Sequence, residues 1–200
     1  MHKDFNEFLK LLNCHKVRYV IVGGYALGAY LIPRTTKDLD ILIEATERNA
    51  IKLLHALKDF GFGSLGLKIT DFTEPDFTIQ LGYEPVRINI STSITGVEWN
   101  EIWANKTKGF FGKSLMPVYY IGIQQLIKNK KEVGRPMDLI DVKQLEKIVK
   151  NKSKRISKKQ WQLNKPLAHS LMCWIIANGG NIKNDRNDSY TPGIRRCAGR

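Results

Sequence analysis

The sequence predicts an α/β fold of the α+β type, a small mixed β-sheet flanked by helices, with a basic C-terminal extension. Helical and strand-type apolar patterns alternate along the first 150 residues, as expected for a domain that combines helices with strands. Two β-branched runs flank a short Gly/Pro turn, which predicts an antiparallel hairpin and therefore a sheet that is not wholly parallel. With 200 residues and 42% hydrophobic composition, the chain can bury a core without disulfides.

The first half of the chain alternates helices with buried strands. The expected elements are a helix over 4–15, a strand over 17–22, a helix over 25–31, a strand over 38–43 and a helix over 46–60. Asp4 is the expected N-cap of the first helix, and Pro33 ends the second. Gly61 follows the last apolar position of the third helix and is its expected stop.

The second half adds a hairpin and ends in helices. The expected elements are strands over 77–81 and 86–91, a helix after Gly96, a strand over 117–120, a helix over 121–132 and a helix from 136 onward. Gly134 ends the helix before it, and Pro136 opens the last one. The apolar positions expected on this last helix are Leu139, Ile140, Val142, Leu145 and Ile148.

Basic charge is concentrated at the C-terminal end of the chain. Residues 1–150 carry 21 Lys and Arg against 17 Asp and Glu, whereas residues 151–200 carry 11 against 2. We therefore predict a domain over 1–150 and a basic, poorly ordered extension over 151–200. We expect this extension to be a solvated tail, with non-specific binding to nucleic-acid phosphates as the alternative.

Composition and motifs also exclude several classes of protein. Three widely spaced cysteines exclude a disulfide framework and a four-cysteine zinc site. The acidic N-terminal residues argue against a secretory signal, and the longest apolar stretch, 167–177, is too short to cross a bilayer. The sequence contains no P-loop and no G-x-S-x-G motif. We therefore expect a cytoplasmic protein with no membrane partner.

Two acidic residues begin the second predicted strand. Asp38 and Asp40 are two residues apart, so they project from one face of the strand while Leu39 packs on the other. Two carboxylates about 7 Å apart repel each other unless a cation lies between them. Mg²⁺ held by one or two carboxylates and by substrate phosphates is the usual solution, and Gly23-Gly24 at a helix start suits a phosphate. Two solvated acids at a strand edge are the alternative.

A second charged cluster lies near the end of the predicted domain. Asp138 and Asp141 are three residues apart on one helix face, and Lys128, Lys130 and Arg135 precede them. These cations suit either a phosphate or the two acids. The sequence leaves open whether this cluster binds a ligand or forms an ion-pair network at the surface.

Together these motifs resemble the nucleotidyltransferase superfamily, which has the polymerase-β-like fold. Its signature is a Gly-Gly or Gly-Ser pair followed by Asp-x-Asp or Asp-x-Glu, and here thirteen residues separate Gly23-Gly24 from Asp38-Leu39-Asp40. The resemblance covers about residues 5–148 and is closest to a bacterial branch related to the AbiEii and MenT-type toxins of toxin–antitoxin systems. The strings that carry it are Tyr19-Val-Ile-Val-Gly-Gly-Tyr-Ala-Leu27, Pro33-Arg-Thr-Thr-Lys-Asp-Leu-Asp-Ile41, Arg87-Ile-Asn-Ile-Ser-Thr-Ser-Ile-Thr-Gly-Val97, Leu126-Ile-Lys-Asn-Lys130 and Gly134-Arg-Pro-Met-Asp-Leu-Ile-Asp141.

The resemblance implies transfer of a nucleoside monophosphate from an NTP to a hydroxyl of a protein or tRNA acceptor. It also implies Mg²⁺ or Mn²⁺ bound by Asp38 and Asp40, and an antitoxin protein as partner. The residues that it implies for catalysis are Asp38, Asp40, Asn89 and Lys130. Those that it implies for nucleotide binding are Gly23, Gly24, Tyr25, Arg34, Lys37, Asp138 and Asp141.

Asn89 departs from the family pattern, because the family commonly has a third carboxylate at this position. An amide oxygen can bind a metal, but it carries no charge and cannot accept a proton as a general base. Three interpretations stay open: a slow enzyme, an enzyme that uses another acid, and a catalytically impaired nucleotide- or RNA-binding module on the same fold.

Overall fold

A computed structural model describes residues 3–31, 36–83, 86–112, 115–151 and 154 of the chain. The described residues up to Asn151 belong to one compact unit. Residues 152–200, apart from Lys154, lie outside the described residues. The division into a domain over 1–150 and a poorly ordered extension over 151–200 therefore stays a prediction.

The centre of the domain is a six-stranded mixed sheet, which confirms the predicted fold class. The strands are β1 (Tyr19–Ile21), β2 (Asp38–Ile43), β3 (Thr78–Leu81), β4 (Arg87–Ser91), β5 (Thr107–Phe111) and β6 (Met116–Tyr120). Their order is β3-β4-β2-β1-β6-β5, and the predicted hairpin is the antiparallel pair β3–β4. The β1–β6 and β2–β4 pairs are parallel, whereas β1–β2 is antiparallel. As a result, β1 ends at the sheet edge where β2 and β4 begin.

Six α-helices in the described part of the chain accompany the sheet. They are α1 (Lys3–Cys14), α2 (Gly23–Tyr30), α3 (Glu47–Leu57), α4 (Trp99–Asn105), α5 (Ile123–Val133) and α6, which the structure describes over residues 136–151. Thr46 caps α3 by accepting a hydrogen bond from the Asn49 N–H, and Gly134 ends α5 with a φ of +69°. Asp4 lies in the first turn of α1 rather than at its N-cap, where its charge still complements the helix dipole. None of the helices in the described part of the chain is long and apolar enough to span a membrane.

The core holds β2 in place from one side. One cluster of buried side chains joins the apolar faces of α1 and α3 to the sheet, and Leu39 and Ile41 of β2 belong to it. The members contributed by the two helices are Phe5, Phe8, Leu9, Leu12, Ala50, Leu53, Ala56 and Leu57. Because Leu39 and Ile41 are fixed in this core, the residues that alternate with them must face the other side of the strand.

Three segments differ from the sequence prediction. The sequence did not predict β5, because its two apolar residues, Phe110 and Phe111, are adjacent and follow Gly109, so they do not give the alternating pattern of a half-buried strand. The helix predicted over 46–60 is regular only to Leu57, and a wider turn over Lys58–Phe62 follows, in which Gly61 has a φ of +99°. On α6, Val142 and Leu145 are buried as expected, but Leu139 and Ile140 are exposed.

Candidate active site

Asp38 and Asp40 leave β2 on the same side of the sheet. The residues that alternate with them, Leu39 and Ile41, are 0% and 1% exposed, whereas both aspartates are only half-buried. The strand begins at the edge where β1 ends, so the carboxylates lie beside the turn that leads from β1 into α2. The fold thus brings together the two motifs that the sequence placed thirteen residues apart.

Asp38 is paired with Arg87, its neighbour across the parallel β2–β4 pair. The guanidinium donates from Nε to Asp38 Oδ1 at 3.0 Å and from Nη2 to Asp38 Oδ2 at 2.8 Å. Such a two-point contact is the strong form of a charge-assisted hydrogen bond. The side chains of Arg87 and Asp38 are 32% and 27% exposed, so a ligand from solvent can reach both partners of the pair.

Asp40 faces Asn89 in the same strand register. The Asn89 side-chain N–H donates to Asp40 Oδ1 at 2.8 Å, and the Gly24 backbone N–H donates to the same carboxylate. Burial raises the pKa of the Asp40 carboxyl, and the Asp38 charge raises this pKa further. The hydrogen bonds from Asn89 and Gly24 and the charge of Arg87 lower it. The pKa of Asp40 is raised overall, because the hydrogen bonds replace only part of the hydration that the carboxylate loses on burial.

The turn between β1 and α2 is shaped around Asp40. The Val22 N–H donates to the Asp40 carbonyl oxygen at 3.0 Å, which fixes the end of β1 against β2. Gly23 has a φ of +60°, and a Cβ at this position would lie only 2.1 Å from Asp40 Oδ2. A Cβ on Gly24 would lie 2.6 Å from Thr36 Oγ1. Both glycines are therefore required sterically, and together they bring the start of α2 beside the carboxylates.

The oxygen atoms gathered here suit a hard divalent cation. The two carboxylates and the Asn89 side-chain oxygen are of the ligand type that Mg²⁺ and Mn²⁺ prefer. In the described ranges, no group of three or more His, Cys, Asp or Glu residues is arranged to hold a metal. Mg²⁺ usually takes one or two carboxylates and completes its shell with water and substrate phosphates. The residues therefore fit Mg²⁺ bound together with a phosphate, and do not fit an all-protein metal cage.

Lys130 forms a buried ion cluster with Asp138 and Asp141. Its Nζ lies 2.5 Å from Asp138 Oδ1 and 2.9 Å from Asp141 Oδ2, and the Lys130 and Asp141 side chains are 10% and 3% exposed. Because α5 carries the lysine and α6 carries both acids, the cluster fixes the two helices across the Gly134 turn. The arrangement is an ion-pair network, buried rather than at the surface. Contact of Lys130 with a phosphate stays a prediction.

Two of the other predicted binding residues are described: Tyr25 follows the glycine turn, and Lys37 precedes β2. Lys37 is exposed directly before β2. The Tyr25 ring packs against the rings of Phe5 and Phe111, with centroid distances of 5.8 and 5.2 Å. Arg34 lies outside the described residues.

Sequence reasoning did not identify Arg87 or the cavity beside Tyr25 as parts of the site. Arg87 could have been found, because it lies two residues before Asn89 and therefore on the same face of its strand. The cavity, of about 550 Å³, lies between α2 and the β5–β6 pair. It could not have been found, because β5 lacks the alternating apolar pattern from which a strand is predicted.

Comparison with known proteins gives structural similarity without a match in sequence. No protein-family profile matches the chain, and no curated protein matches it in sequence. Among solved structures, the chain is similar to the lincosamide antibiotic adenylyltransferase LnuA in its lincomycin-bound crystal structure. The TM-score is 0.49 at 19% identity, over 74% of this chain and 98% of that chain. A likeness of this size carries no argument about what the present chain binds or does.

Replacing Gly23 with alanine is expected to disturb the carboxylates as well as the backbone. Gly66 provides the matched control, because its φ of +67° is similar and nothing lies within 4 Å of an added Cβ. An L side chain in this conformation costs about 1–2 kcal/mol. We expect Gly66→Ala to lose about this much stability and Gly23→Ala to lose more, since its Cβ must displace Asp40. Chemical denaturation measures both losses, and equal values would contradict the close approach of Gly23 to Asp40.

Replacing Lys130 with methionine is expected to destabilise the domain strongly. The change leaves Asp138 and Asp141 without their cation, and removing one partner of a buried ion pair costs about 3–5 kcal/mol. Lys128→Met is the matched control on the same helix, because Lys128 is 54% exposed and pairs with the exposed Glu101. Little change is expected there. Urea denaturation compares the two variants, and a loss at Lys130 no larger than at Lys128 would show that the cluster does not stabilise the α5–α6 pair.

Proposed function

We propose that the protein is a Mg²⁺-dependent nucleotidyltransferase that moves a nucleoside monophosphate from an NTP to a hydroxyl of a protein or RNA. One observation carries the proposal: Asp38 and Asp40 leave the same side of β2 directly beside the Gly23-Gly24 turn. Carboxylates that hold a divalent cation, next to a glycine turn at a helix start, are what binding of a triphosphate requires. Mn²⁺ has the same ligand preference and can take the place of Mg²⁺.

Each of the site residues would have a separate role in this reaction. Asp38 and Asp40 would hold the Mg²⁺, which when bound polarises phosphoryl oxygens and neutralises developing charge. The start of α2 at Gly23 favours the negative phosphates, whereas the Gly24 N–H is already used by Asp40. The acceptor oxygen forms a bond to the α-phosphorus, the bond from that phosphorus to the α,β-bridging oxygen breaks, and pyrophosphate leaves. Asn89 cannot accept the hydroxyl proton, which therefore passes to a carboxylate or to water.

The proposal also covers the acceptor and the biological role of the protein. The resemblance to AbiEii and MenT-type toxins supports a protein or tRNA hydroxyl as acceptor, and a cytoplasmic toxin that is paired with an antitoxin protein. The basic residues of 151–200 would add non-specific attraction to an RNA acceptor. Contacts of Lys130, Arg34 and Lys37 with phosphates belong to the same proposal.

Asn89 favours a second candidate function, a nucleotide- or RNA-binding module that no longer catalyses. Its amide donates to Asp40, and it supplies neither the charge nor the base of a third carboxylate. Such a module would bind an NTP with Mg²⁺ but would not turn it over. Binding and turnover therefore have to be measured separately.

Incubation with α-³²P-labelled NTPs, Mg²⁺ or Mn²⁺ and a cell lysate is expected to transfer label to a macromolecule. Asp38→Asn and Asp40→Asn should abolish the transfer, because each removes an ionic metal ligand without changing the size of the side chain. Asp59→Asn is the control, since Asp59 is exposed and contacts only His15 among the ion pairs of the described residues. Transfer that survives both site variants would contradict the proposed catalytic site. Binding of an NTP by the wild type without any transfer would favour the second function.

Arg87 and a divalent ion are expected to compete for Asp38. Arg87→Lys keeps the positive charge but loses the two-point contact, so the variant should bind Mn²⁺ more tightly than the wild type when no nucleotide is present. Loss of about one charge-assisted hydrogen bond corresponds to about tenfold in affinity. Arg18→Lys, which changes the Arg18–Glu44 pair, is the control. Mn²⁺ electron paramagnetic resonance measures the free ion, and an unchanged affinity in Arg87→Lys would contradict the competition.

A further inference from the structure

β5 lies at one edge of the sheet, because it pairs with β6 alone and ends the strand order. Phe110 is in register with Pro117, which has no N–H to donate, and the Pro117 carbonyl oxygen accepts from the Asn13 side chain instead. Phe110 and Pro117 are therefore a pair that exchanges no backbone hydrogen bonds. Since such pairs alternate along an antiparallel ladder, Lys108 and Tyr119 are another.

The backbone N–H and C=O groups of Lys108 and Phe110 consequently face away from β6, along the open edge of β5. The Phe110 carbonyl oxygen accepts from the Tyr120 hydroxyl at 3.0 Å, and the Tyr120 ring crosses Gly109, where a Cβ would lie only 2.8 Å from it. Among the described residues, no other hydrogen bond reaches these groups from outside the β5–β6 pair. Such an edge can accept an extended chain as a further strand of the sheet.

A cavity flanks β5 on each of its two faces. On one face, Lys108 and Phe110 line a cavity of about 450 Å³, and the Phe110 ring is 65% exposed. On the other face, Gly109 and Phe111 line the cavity of about 550 Å³ beside Tyr25. Because side chains alternate between the faces of a strand, a strand added to β5 would direct its side chains toward both cavities in turn. Backbone pairing supplies affinity in this mode of recognition, and the cavities supply specificity.

Positive charge surrounds the Lys108 face of this edge. Lys108 is exposed, and the Lys106 Nζ lies 3.8 Å from the centre of the Trp103 ring and donates to the Trp103 carbonyl oxygen. Among the described residues neither lysine pairs with a carboxylate, whereas nearby Arg18 pairs with Glu44. Loss of hydration lowers the pKa of Lys106, and the charges of Arg18 and Lys108 lower it further. No carboxylate is found among the described residues that line the two cavities, so acidic side chains on an added strand would meet unpaired cations.

The same lysines disfavour pairing of β5 with a second copy of itself. Two β5 edges would bring Lys106 and Lys108 of both copies onto neighbouring strands, where like charges are destabilising. The net charge of +13 on the whole chain adds repulsion between copies. An acidic strand meets neither obstacle, so the charge at this edge favours a partner of different sequence.

We propose that the open edge of β5 binds an extended segment of a partner protein in which acidic and apolar residues alternate. The segment adds as a seventh strand of the sheet and forms backbone hydrogen bonds with Lys108 and Phe110. Its acidic side chains face Lys106 and Lys108, and its apolar side chains face the cavity beside Tyr25. The inference goes beyond the proposed function and does not rest on it, because no metal ligand or nucleotide takes part.

The test adds a synthetic octapeptide of alternating glutamate and valine to the full chain and measures amide hydrogen exchange by NMR. The N–H groups of Lys108 and Phe110 should exchange rapidly in the free protein, because they face solvent. They should exchange about tenfold more slowly when about nine-tenths of the protein holds peptide, because they then donate to the added strand. Gly109 and Phe111 are the internal controls, since their N–H groups pair with β6 and are protected before the peptide is added.

Two changes separate strand addition from simple attraction of charge, including attraction to the basic residues of 151–200. Lys108→Glu should weaken binding of the labelled peptide, measured by fluorescence anisotropy, about threefold to thirtyfold. Lys10→Glu is the matched control, because it reverses the charge of an exposed lysine on α1, and little change is expected. A peptide with every backbone nitrogen methylated keeps its charge but cannot donate to the edge, so it should bind at least about tenfold more weakly.

Four results would overturn the inference. Unchanged exchange at Lys108 and Phe110 in millimolar peptide would show that the edge does not accept a strand. Equal binding of the methylated peptide, or equal losses in Lys108→Glu and Lys10→Glu, would show attraction of charge alone. A wild-type dimer in sedimentation, with Lys108 and Phe110 already protected, would assign the edge to a second copy. Slower exchange of these two amides with single-stranded RNA, but not with the peptide, would assign it to nucleic acid.

Discussion

Two negative charges held side by side on one strand are the constraint that shapes this domain. Leu39 and Ile41 are buried in the core on one side of β2, so the alternating residues Asp38 and Asp40 lie together on the other side. There the two carboxylates repel each other. On β4, the Arg87 guanidinium donates to Asp38 and the Asn89 amide donates to Asp40, each from the position in register with its partner. The Gly24 N–H in the turn after β1 also donates to Asp40. Gly23 has no side chain because Asp40 occupies the space. The parallel β2–β4 pair, the glycine turn and the start of α2 can therefore be understood as one arrangement around two carboxylates.

Among the described residues, the Arg87–Asp38 pair and the Lys130 cluster differ in how accessible they are to a ligand. The Arg87–Asp38 pair is about one-third exposed, so a cation or a phosphate can exchange with either partner. The Lys130 cluster is closed, with Asp141 only 3% exposed, and exchange there would leave buried charges unpaired. The sequence predicted Asp38 and the Lys130 cluster as site residues, but it did not identify Arg87. The greater exposure makes the Arg87–Asp38 pair accessible to a ligand, whereas the buried Lys130 cluster holds α5 against α6.

The sequence predicts the parts of the fold that depend on local patterns. The period of two in β2, the β-branched run of β1 and the helix stop at Gly134 all follow from neighbouring residues, and the structure has each of them. What depends on contacts across the sheet could not be read locally. The pairing of Arg87 with Asp38 needs the parallel β2–β4 register. The cavity beside Tyr25 needs an edge strand, β5, that lacks an alternating apolar pattern. The sequence shows Asn89 where the family that it resembles commonly has a third carboxylate, but the effect of this amide on the proposed reaction depends on the metal and substrate.

The most direct test of the account is to locate the divalent ion. Crystals of the protein grown with Mn²⁺ and a non-hydrolysable NTP allow anomalous scattering to place the metal independently of the protein atoms. The account predicts a Mn²⁺ peak that contacts both the Asp38 and Asp40 carboxylates and the triphosphate, with the Arg87 guanidinium moved from at least one Asp38 oxygen. A nucleotide that binds with no metal at these two carboxylates, or a metal bound elsewhere, would contradict it.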